Sequence, residues 1–395
     1  MMNFSEKIIK ENKKEADNRV AFVTRLMVIF MAVIAILNIL NIFKIEGTPL
    51  YLTVAISMIN FLIPTILYNF LHINNEKIWY FILTILVLQS GLLYSILSYH
   101  TIIMLIFPLI ISCLYNDKKY VIYVTIISVP MIFISHYIAY LLHIVPDEPL
   151  VTLKGTLLYG VLPRTIEFLS FSVICYFITN LIEKLITTLA KKNEELYKDQ
   201  ENLIYSLSNI IENKSEKNGA HVRRVAEYTS ILVKNLGYDE EETWKISLAS
   251  MLHDVGKIMV DSKILEKPAK LDESEYNAIK KHTEYGKNLL ENTPSELFHL
   301  ASTIAYEHHE KFDGSGYQGL KGEKISKIAR CVALADVFDA LSSKRPYKEA
   351  WDLEKTYNYI VSEKGKAFDP DIVDTFSEHF SDLIMIKNKY VDPNN

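Results

Sequence analysis

The sequence predicts an all-α protein in two unlike halves, a membrane-spanning helical bundle followed by an all-helical globular domain. Three observations predict it. Six apolar runs separated by brief polar breaks fill the first 183 residues. A seven-residue apolar repeat then marks one connecting helix. Beyond residue 213 the chain reads as amphipathic helices punctuated by Gly and Pro, with no convincing run of alternating strands.

Residues 1–19 are polar and rich in Lys7, Lys10, Lys13, Lys14 and Arg19, unlike a short cleavable signal. Apolar runs follow at about 26–43, 49–71, 78–98, 101–115, 120–145 and 165–183. Most approach the roughly 20 residues that cross a bilayer as a helix, and the fourth is short. Lipid offers no partner to backbone polar groups, so these runs must be helices. Basic residues in the N-terminal segment, in His72–Lys77, in Asn116–Lys119 and at Lys184, Lys191 and Lys192 alternate with loops poorer in positive charge. Six spans with the N-terminus inside therefore put the C-terminal half in the cytoplasm of a multi-pass membrane protein. Residues 150–164 are the open point, since they can instead lengthen the last helix. Arg164 and Glu167 read as a pair that neutralises itself near the outer interface, the alternative being a ligand or ion site. His100, His136 and His143 lack carboxylate neighbours and read as packing or interfacial residues.

From Ile182 the repeat Ile182, Leu189, Leu196, Leu203, Ile210 has Ile186, Asn193, Gln200 and Leu207 as companions. This pattern predicts a coiled coil with a polar middle and hence a parallel homodimer. The alternative is an amphipathic helix packed on its own domain.

Charge and cysteines narrow the class of the C-terminal half. The formal net charge is −5, and no basic block suits a nucleic-acid polymer. Cys113, Cys175 and Cys331 are scattered singly, which excludes a disulfide framework and a C-x-x-C knuckle and fits a reducing compartment.

The same half concentrates metal-binding side chains. His221 opens an amphipathic helix that ends at Leu236-Gly237. A second helix carries Trp244, Ile246, Leu248, Ala249 and Leu252 into His253-Asp254, and a helical continuation puts Lys257 on the same face. Asp272 to Thr283 reads as a helix with His282 near its end. Ile304-Ala305 leads to His308-His309, and Ala329 to Leu341 reads as a helix carrying Asp336. Neutral imidazoles with carboxylates suit borderline first-row metals, and these seven ligands fit two ions sharing Asp254 better than one. His299 and His379 lack such neighbours and read as structural. A glycine-rich turn, Glu310 to Tyr317, allows close backbone approach and offers a flat ring for a base. Ser343 to Lys348 sets Arg345 and Lys348 close together, suited to phosphate oxygens.

Residues 219–376 resemble an HD-GYP domain, the branch of HD-type metal phosphohydrolases that degrades cyclic di-GMP. The resemblance rests on GAHVRRVAEY, LHDVGKI, ILEKPAKL, KKHTEYG, HHEKFDGSGY, GLKGEKI, ADVFDALSSKRPYK and GKAFDPDIV, in that order. It implies one divalent transition metal, Fe or Mn, on His221, His253, Asp254 and Asp336, and a second on Asp254, His282, His308 and His309. It further implies Lys257 as catalytic lysine beside Asp254, substrate contacts from Gly316, Tyr317, Arg345 and Lys348, and support by hydrogen bonding from Asp339. The chain departs from the family after Gly316-Tyr317: the family has a proline and one further residue before Gly-Leu, and here only Gln318 intervenes, so the loop is shorter and lacks the proline. It departs again at Lys217, where members with a third metal carry glutamate, so two metals are expected. The resulting organisation is a transmembrane sensor over 1–183, a coiled-coil signalling helix over 184–212, the phosphodiesterase domain over 213–384 and a tail over 385–395. The expected reaction opens cyclic di-GMP to a linear dinucleotide. Its rivals are a cyclic dinucleotide receptor without turnover and a hydrolase of another cyclic dinucleotide such as cyclic GMP-AMP.

Overall fold

The computed structural model describes residues 4–40, 42, 47–73, 75–97, 102–142, 150–212, 220–267, 269–344 and 349–390. Among them every named element is helical, and a single isolated bridge joins Lys364 and Phe368. The chain divides into two compact units, Asn3–Glu194 and Glu195–Asn395.

The first unit comprises α1 (Phe4–Ile39), α2 (Gly47–Thr65, running on as a π turn through Phe70), α3 (Glu76–Leu97), α4 (Ile102–Cys113) and α5 (Lys118–Leu141). A short α6 (Leu153–Gly155) and a second π turn then lead into α7 (Leu162–Glu212), which continues into the second unit. Five segments, Ile8–Ile39, Leu50–Phe70, Glu76–Ile96, Lys118–Leu141 and Leu153–Glu212, are long and apolar enough to cross a membrane, and Met104–Cys113 is a shorter apolar helix. Within the described residues each of the six expected runs is thus largely helical, and the fourth is too short to be among the five.

Two boundaries differ from expectation. The first helix starts well before its apolar run, because the Lys- and Glu-rich segment ahead of it consists of good helix formers. The last starts at Leu153, so 150–164 joins it: the Thr152 side chain caps the Gly155 N–H at 3.1 Å. Gly160 lets this segment pass close to His136, since a Cβ there would lie 2.8 Å from the ring.

Polarity in this unit runs the opposite way to that of a soluble bundle. Phe70, Leu181 and Ile59 face outward, whereas Gln89, Ser57, Asp17 and His136 are buried. Asn60 donates to Gln89 at 2.6 Å, Trp79 Nε1 donates to Asp17 at 2.8 Å, and His136 meets the Tyr94 hydroxyl at 3.0 Å. Apolar outside and paired polar groups inside is the arrangement a lipid solvent favours. Arg164 and Glu167 sit 3.7 Å apart. His100 and His143 lie outside the described residues.

The second unit contains α8 (Ala220–Asn235), α9 (Glu240–Ser250), a 3-10 turn (Val255–Met259), α10 (Ser262–Leu265), α11 (Glu273–Lys280), α12 (His282–Leu290) and α13 (Glu296–Glu307). It closes with α14 (Lys327–Ser342), α15 (Leu353–Ser362), α16 (Pro370–Glu378) and α17 (Phe380–Lys389). Tyr228 of α8, Phe338 of α14 and Phe376 of α16 are fully buried and meet edge to face. Ile204 of α7 joins this core, and Tyr197 packs edge-on against Trp244. The heptad residues Leu189, Leu196, Leu203 and Ile210 lie on another face and are exposed. Tyr390, in the segment expected as a tail, accepts from Arg224 at its backbone oxygen.

Two local predictions fail here. The α9 helix ends at Ser250, so His253, Asp254 and Lys257 sit on a turn and a 3-10 helix rather than on one α-helical face. The tightening comes from Gly256, which runs against α12: a Cβ there would lie 1.9 Å from the His282 backbone oxygen. The expected helix 272–283 is likewise two helices, α11 with its Asp272–Glu275 capping box and α12, which His282 opens. Gly256→Ala is therefore expected to destabilise the domain by roughly 3 kcal/mol, the upper part of the range for overpacking. A melting temperature equal to wild type would contradict the close packing of these backbones.

Candidate metal centre

Seven side chains from five places in the fold converge. The turn after α9 supplies His253 and Asp254, the start of α12 supplies His282, and the turn after α13 supplies His308 and His309. The start of α8 supplies His221, and α14 supplies Asp336. They form two adjoining groups, Asp254–His282–His308–His309 and His221–His253–Asp336, each with ligand atoms within 4.8 Å of one another. Asp254 faces both. Its Oδ1 is 3.1 Å from His282 Nε2 and 3.8 Å from His308 Nε2, and its Oδ2 is 3.2 Å from His253 Nε2.

Hydrogen bonds behind the rings decide which nitrogen faces inward. The Nδ1 atoms of His253, His282 and His308 contact the backbone oxygens of Ser250 at 2.8 Å, Ile279 at 2.7 Å and Ile304 at 3.1 Å. A carbonyl only accepts, so each Nδ1 carries the proton and each Nε2 presents a lone pair to the cluster. His221 Nδ1 donates in the same way to the Asp339 carboxylate at 2.8 Å. Three of these Nε2 atoms (His253, His282, His308) and Asp254 Oδ1 are buried without a hydrogen-bond partner. So many orphaned acceptors in one place cost several kcal/mol unless a cation uses them. The residues present therefore fit divalent ions bound by imidazole and carboxylate.

The titration of these groups follows from burial and mutual charge. Burial pushes His308 well below the usual imidazole range and His309 down to about 4, with neighbouring histidines adding to the effect on His308. Both are neutral and ready to ligate at physiological pH. Burial alone would raise Asp254, but Lys257 and His253 more than offset it and hold the carboxyl well below its usual range. Asp336 is lowered against burial by His221 and His253. His221 is carried against its own burial up to about 9 by Asp339. Ion binding at His221 then displaces a proton, as metal binding at imidazole generally does.

Some of the other expected residues stand around this cluster. Lys257 Nζ lies 2.6 Å from Asp254 Oδ2 and 3.3 Å from Glu212 Oε1. The Tyr317 ring lies 4.6 Å from that of His309, with the Lys280 ammonium 5.2 Å away. Gly316 is required by close approach, since a Cβ would lie 2.5 Å from Glu310 Cα. Arg345 and Lys348 lie outside the described residues, as does Lys217.

The shortened loop is held by Glu310, which is buried and accepts from the Gln318 N–H at 2.6 Å and the Leu320 N–H at 2.7 Å. A proline at 318 has no N–H to give, so the missing family proline is matched by a different anchor. Sequence reasoning missed Glu310, Glu212 and Arg224. Arg224 is buried and grips Asp339 through Nε at 2.6 Å and Nη2 at 2.8 Å, fixing the carboxylate that orients His221. The RR pair at 223–224 was the available signal, because a buried arginine on an amphipathic helix needs an acidic partner.

The family model described as "HD domain" matches residues 205–372. Those residues are an HD domain. Its motifs resemble those of the HD-GYP branch. The chain is 42% identical over 199 residues to "3'3'-cGAMP-specific phosphodiesterase 2" of Vibrio cholerae, covering 50% of this chain and 38% of that protein. It is 42% identical over 187 residues to "Cyclic di-GMP phosphodiesterase response regulator RpfG" of Xanthomonas campestris, covering 47% and 49%. It is 35% identical over 200 residues to "Cyclic di-GMP phosphodiesterase" of Thermotoga maritima, covering 49% and 54%. The chain thus spans about half the length, or less, of these curated relatives.

Proposed function

We propose that this chain is a membrane-bound phosphodiesterase that opens cyclic di-GMP to a linear dinucleotide at the HD domain. The observation that carries the reading is the division of Asp254 between two histidine-rich groups, the arrangement of a bridging carboxylate. We assign His221, His253, Asp254 and Asp336 to one ion and Asp254, His282, His308 and His309 to the other. Two divalent transition-metal ions there, iron or manganese by the family resemblance, would activate water and clamp the attacked phosphate.

The protein's own groups then have defined tasks. Lys257, cationic and beside Asp254, is placed to give a proton or charge to the leaving oxygen. Tyr317 offers a face to a base, and Gly316, assigned with it as a substrate contact, lets the loop fold tightly against Glu310. Arg345 and Lys348 hold phosphate charge. Asp339, anchored by Arg224, keeps the His221 ring in the ligating tautomer.

A second reading keeps the reaction and changes a base: relatives from Vibrio cholerae at 42% and 36% identity are named 3'3'-cGAMP-specific phosphodiesterases. Incubating the full-length protein, loaded with Mn²⁺ or Fe²⁺, with each cyclic dinucleotide tests both. Linear dinucleotide release from cyclic di-GMP supports the first reading, and release from cyclic GMP-AMP alone replaces it with the second. Binding without any release would make the protein a receptor.

The membrane helices and α7 complete the proposal. The exposed apolar stripe of Leu189, Leu196, Leu203 and Ile210, interleaved with charge, supports a parallel dimer along α7. A Leu196→Cys variant is expected to crosslink to its own copy, and a reporter fused after Lys192 to be cytoplasmic. A monomeric Leu196→Cys product under oxidation, or labelling of the fusion from outside intact cells, would refute the respective part.

A further inference from the structure

Glu212 is the last residue of α7, and it is 1% exposed. A carboxylate at a helix C-terminus faces the negative end of the backbone dipole. Burial adds a larger desolvation cost unless a cation balances the charge. Glu212 meets the Lys257 ammonium at 3.3 Å. One ammonium is therefore shared between Glu212 and Asp254, whose Oδ2 is 2.6 Å from it. These two carboxylates are not equivalent holders. Asp254 is a metal ligand in the reading above, so its charge is committed elsewhere once the cluster is filled. Glu212 belongs to neither group of ligands, so no ion claims its carboxylate in that reading.

We propose that Glu212 is a positioning residue that holds the Lys257 ammonium beside the metal cluster, so that the end of α7 sets where this ammonium stands. The inference rests on Lys257 as the group that assists the leaving oxygen, and it adds how that group is controlled. α7 runs unbroken from Leu162 to Glu212. A slide of that helix by a single residue's rise, about 1.5 Å, is enough to carry a carboxylate out of ion-pair range of a fixed ammonium. Motion of the helix thus becomes a change in catalytic geometry without disturbing the metal ligands.

The test uses the full-length, Mn²⁺-loaded protein and the variants Glu212→Gln, Lys257→Ala and the double variant, with cyclic di-GMP and cyclic GMP-AMP as substrates. Glu212→Gln is expected to keep its metal and its KM while kcat falls on the order of tenfold to a hundredfold, the scale of a misplaced catalytic group. In the Lys257→Ala background the same change should alter kcat by less than about twofold, because the group it positions is gone. Glu212→Asp should recover part of the loss. Independently of turnover, acylation of Lys257 by an amine reagent, followed by peptide mass spectrometry, should be faster in Glu212→Gln while Lys263 reacts as before. Unchanged kcat in Glu212→Gln, equal losses in both backgrounds, or unchanged Lys257 labelling would each overturn the proposal. If wild type releases product from neither substrate, the phosphodiesterase reading fails, and the labelling alone decides whether Glu212 holds Lys257.

Discussion

Asp254→Ala is expected to lose most of both metal ions and bring turnover below detection. Asp254 supplies an oxygen to each group, with Oδ1 toward His282 and His308 and Oδ2 toward His253. Removing it takes one ligand from each ion and the only carboxylate of the Asp254–His282–His308–His309 group. Lys257 also loses the carboxylate 2.6 Å from its ammonium, and the His253, His282 and His308 rings lose the group they face. Elemental analysis should show about two ions per wild-type chain and close to none in the variant. Asp254→Asn separates folding from ligation, since it keeps the shape but has one oxygen instead of two. It should fold and hold at most one ion. A full complement of two ions in Asp254→Ala would sink the shared-carboxylate arrangement.

Lys257→Ala should behave in the opposite way, keeping its metal and losing its rate. Lysine cannot ligate a metal without giving up its proton, and both groups of metal ligands are complete without it. Its ammonium nevertheless stands 2.6 Å from Asp254 Oδ2, within reach of a phosphate held beside that carboxylate. If it assists the leaving oxygen, kcat should fall by about two to four orders of magnitude, the usual contribution of a general acid or base. KM should change less, because the substrate contacts proposed for Tyr317, Arg345 and Lys348 would remain. Lys257→Met, which keeps the bulk of the chain, should match the alanine variant if the loss is one of charge. A rate equal to wild type in either variant would refute the assignment.

Much of the site is visible in the chain before folding, for a local reason. His253-Asp254 and His308-His309 are neighbours in sequence, and Asp336 and Asp339 are separated by one helical turn. Histidines at the ends of apolar helices are conspicuous without any tertiary contact. The apolar runs of the first unit are equally local, because spanning length and helical backbone follow from the solvent alone. Boundaries were harder. The extended first helix and the joined 150–164 segment depend on helix formers and a Thr152 cap that hydropathy does not weigh.

The sequence by itself determined the all-helical class, the two unlike halves, the ligand types and the lysine one turn beyond Asp254. Each is carried by residue type and short spacing. Only the tertiary structure decided that Lys257 reaches Asp254 from a 3-10 turn, because the close approach of Gly256 to the His282 backbone ends the α-helix early. Only it paired Arg224 with Asp339, 115 residues away, and Lys257 with Glu212, 45 residues away. It alone anchored the shortened loop on Glu310. The physical reason is common to all of these. A buried charge must find its counter-charge wherever the fold brings one, and no spacing rule links partners that meet only when separate helices pack.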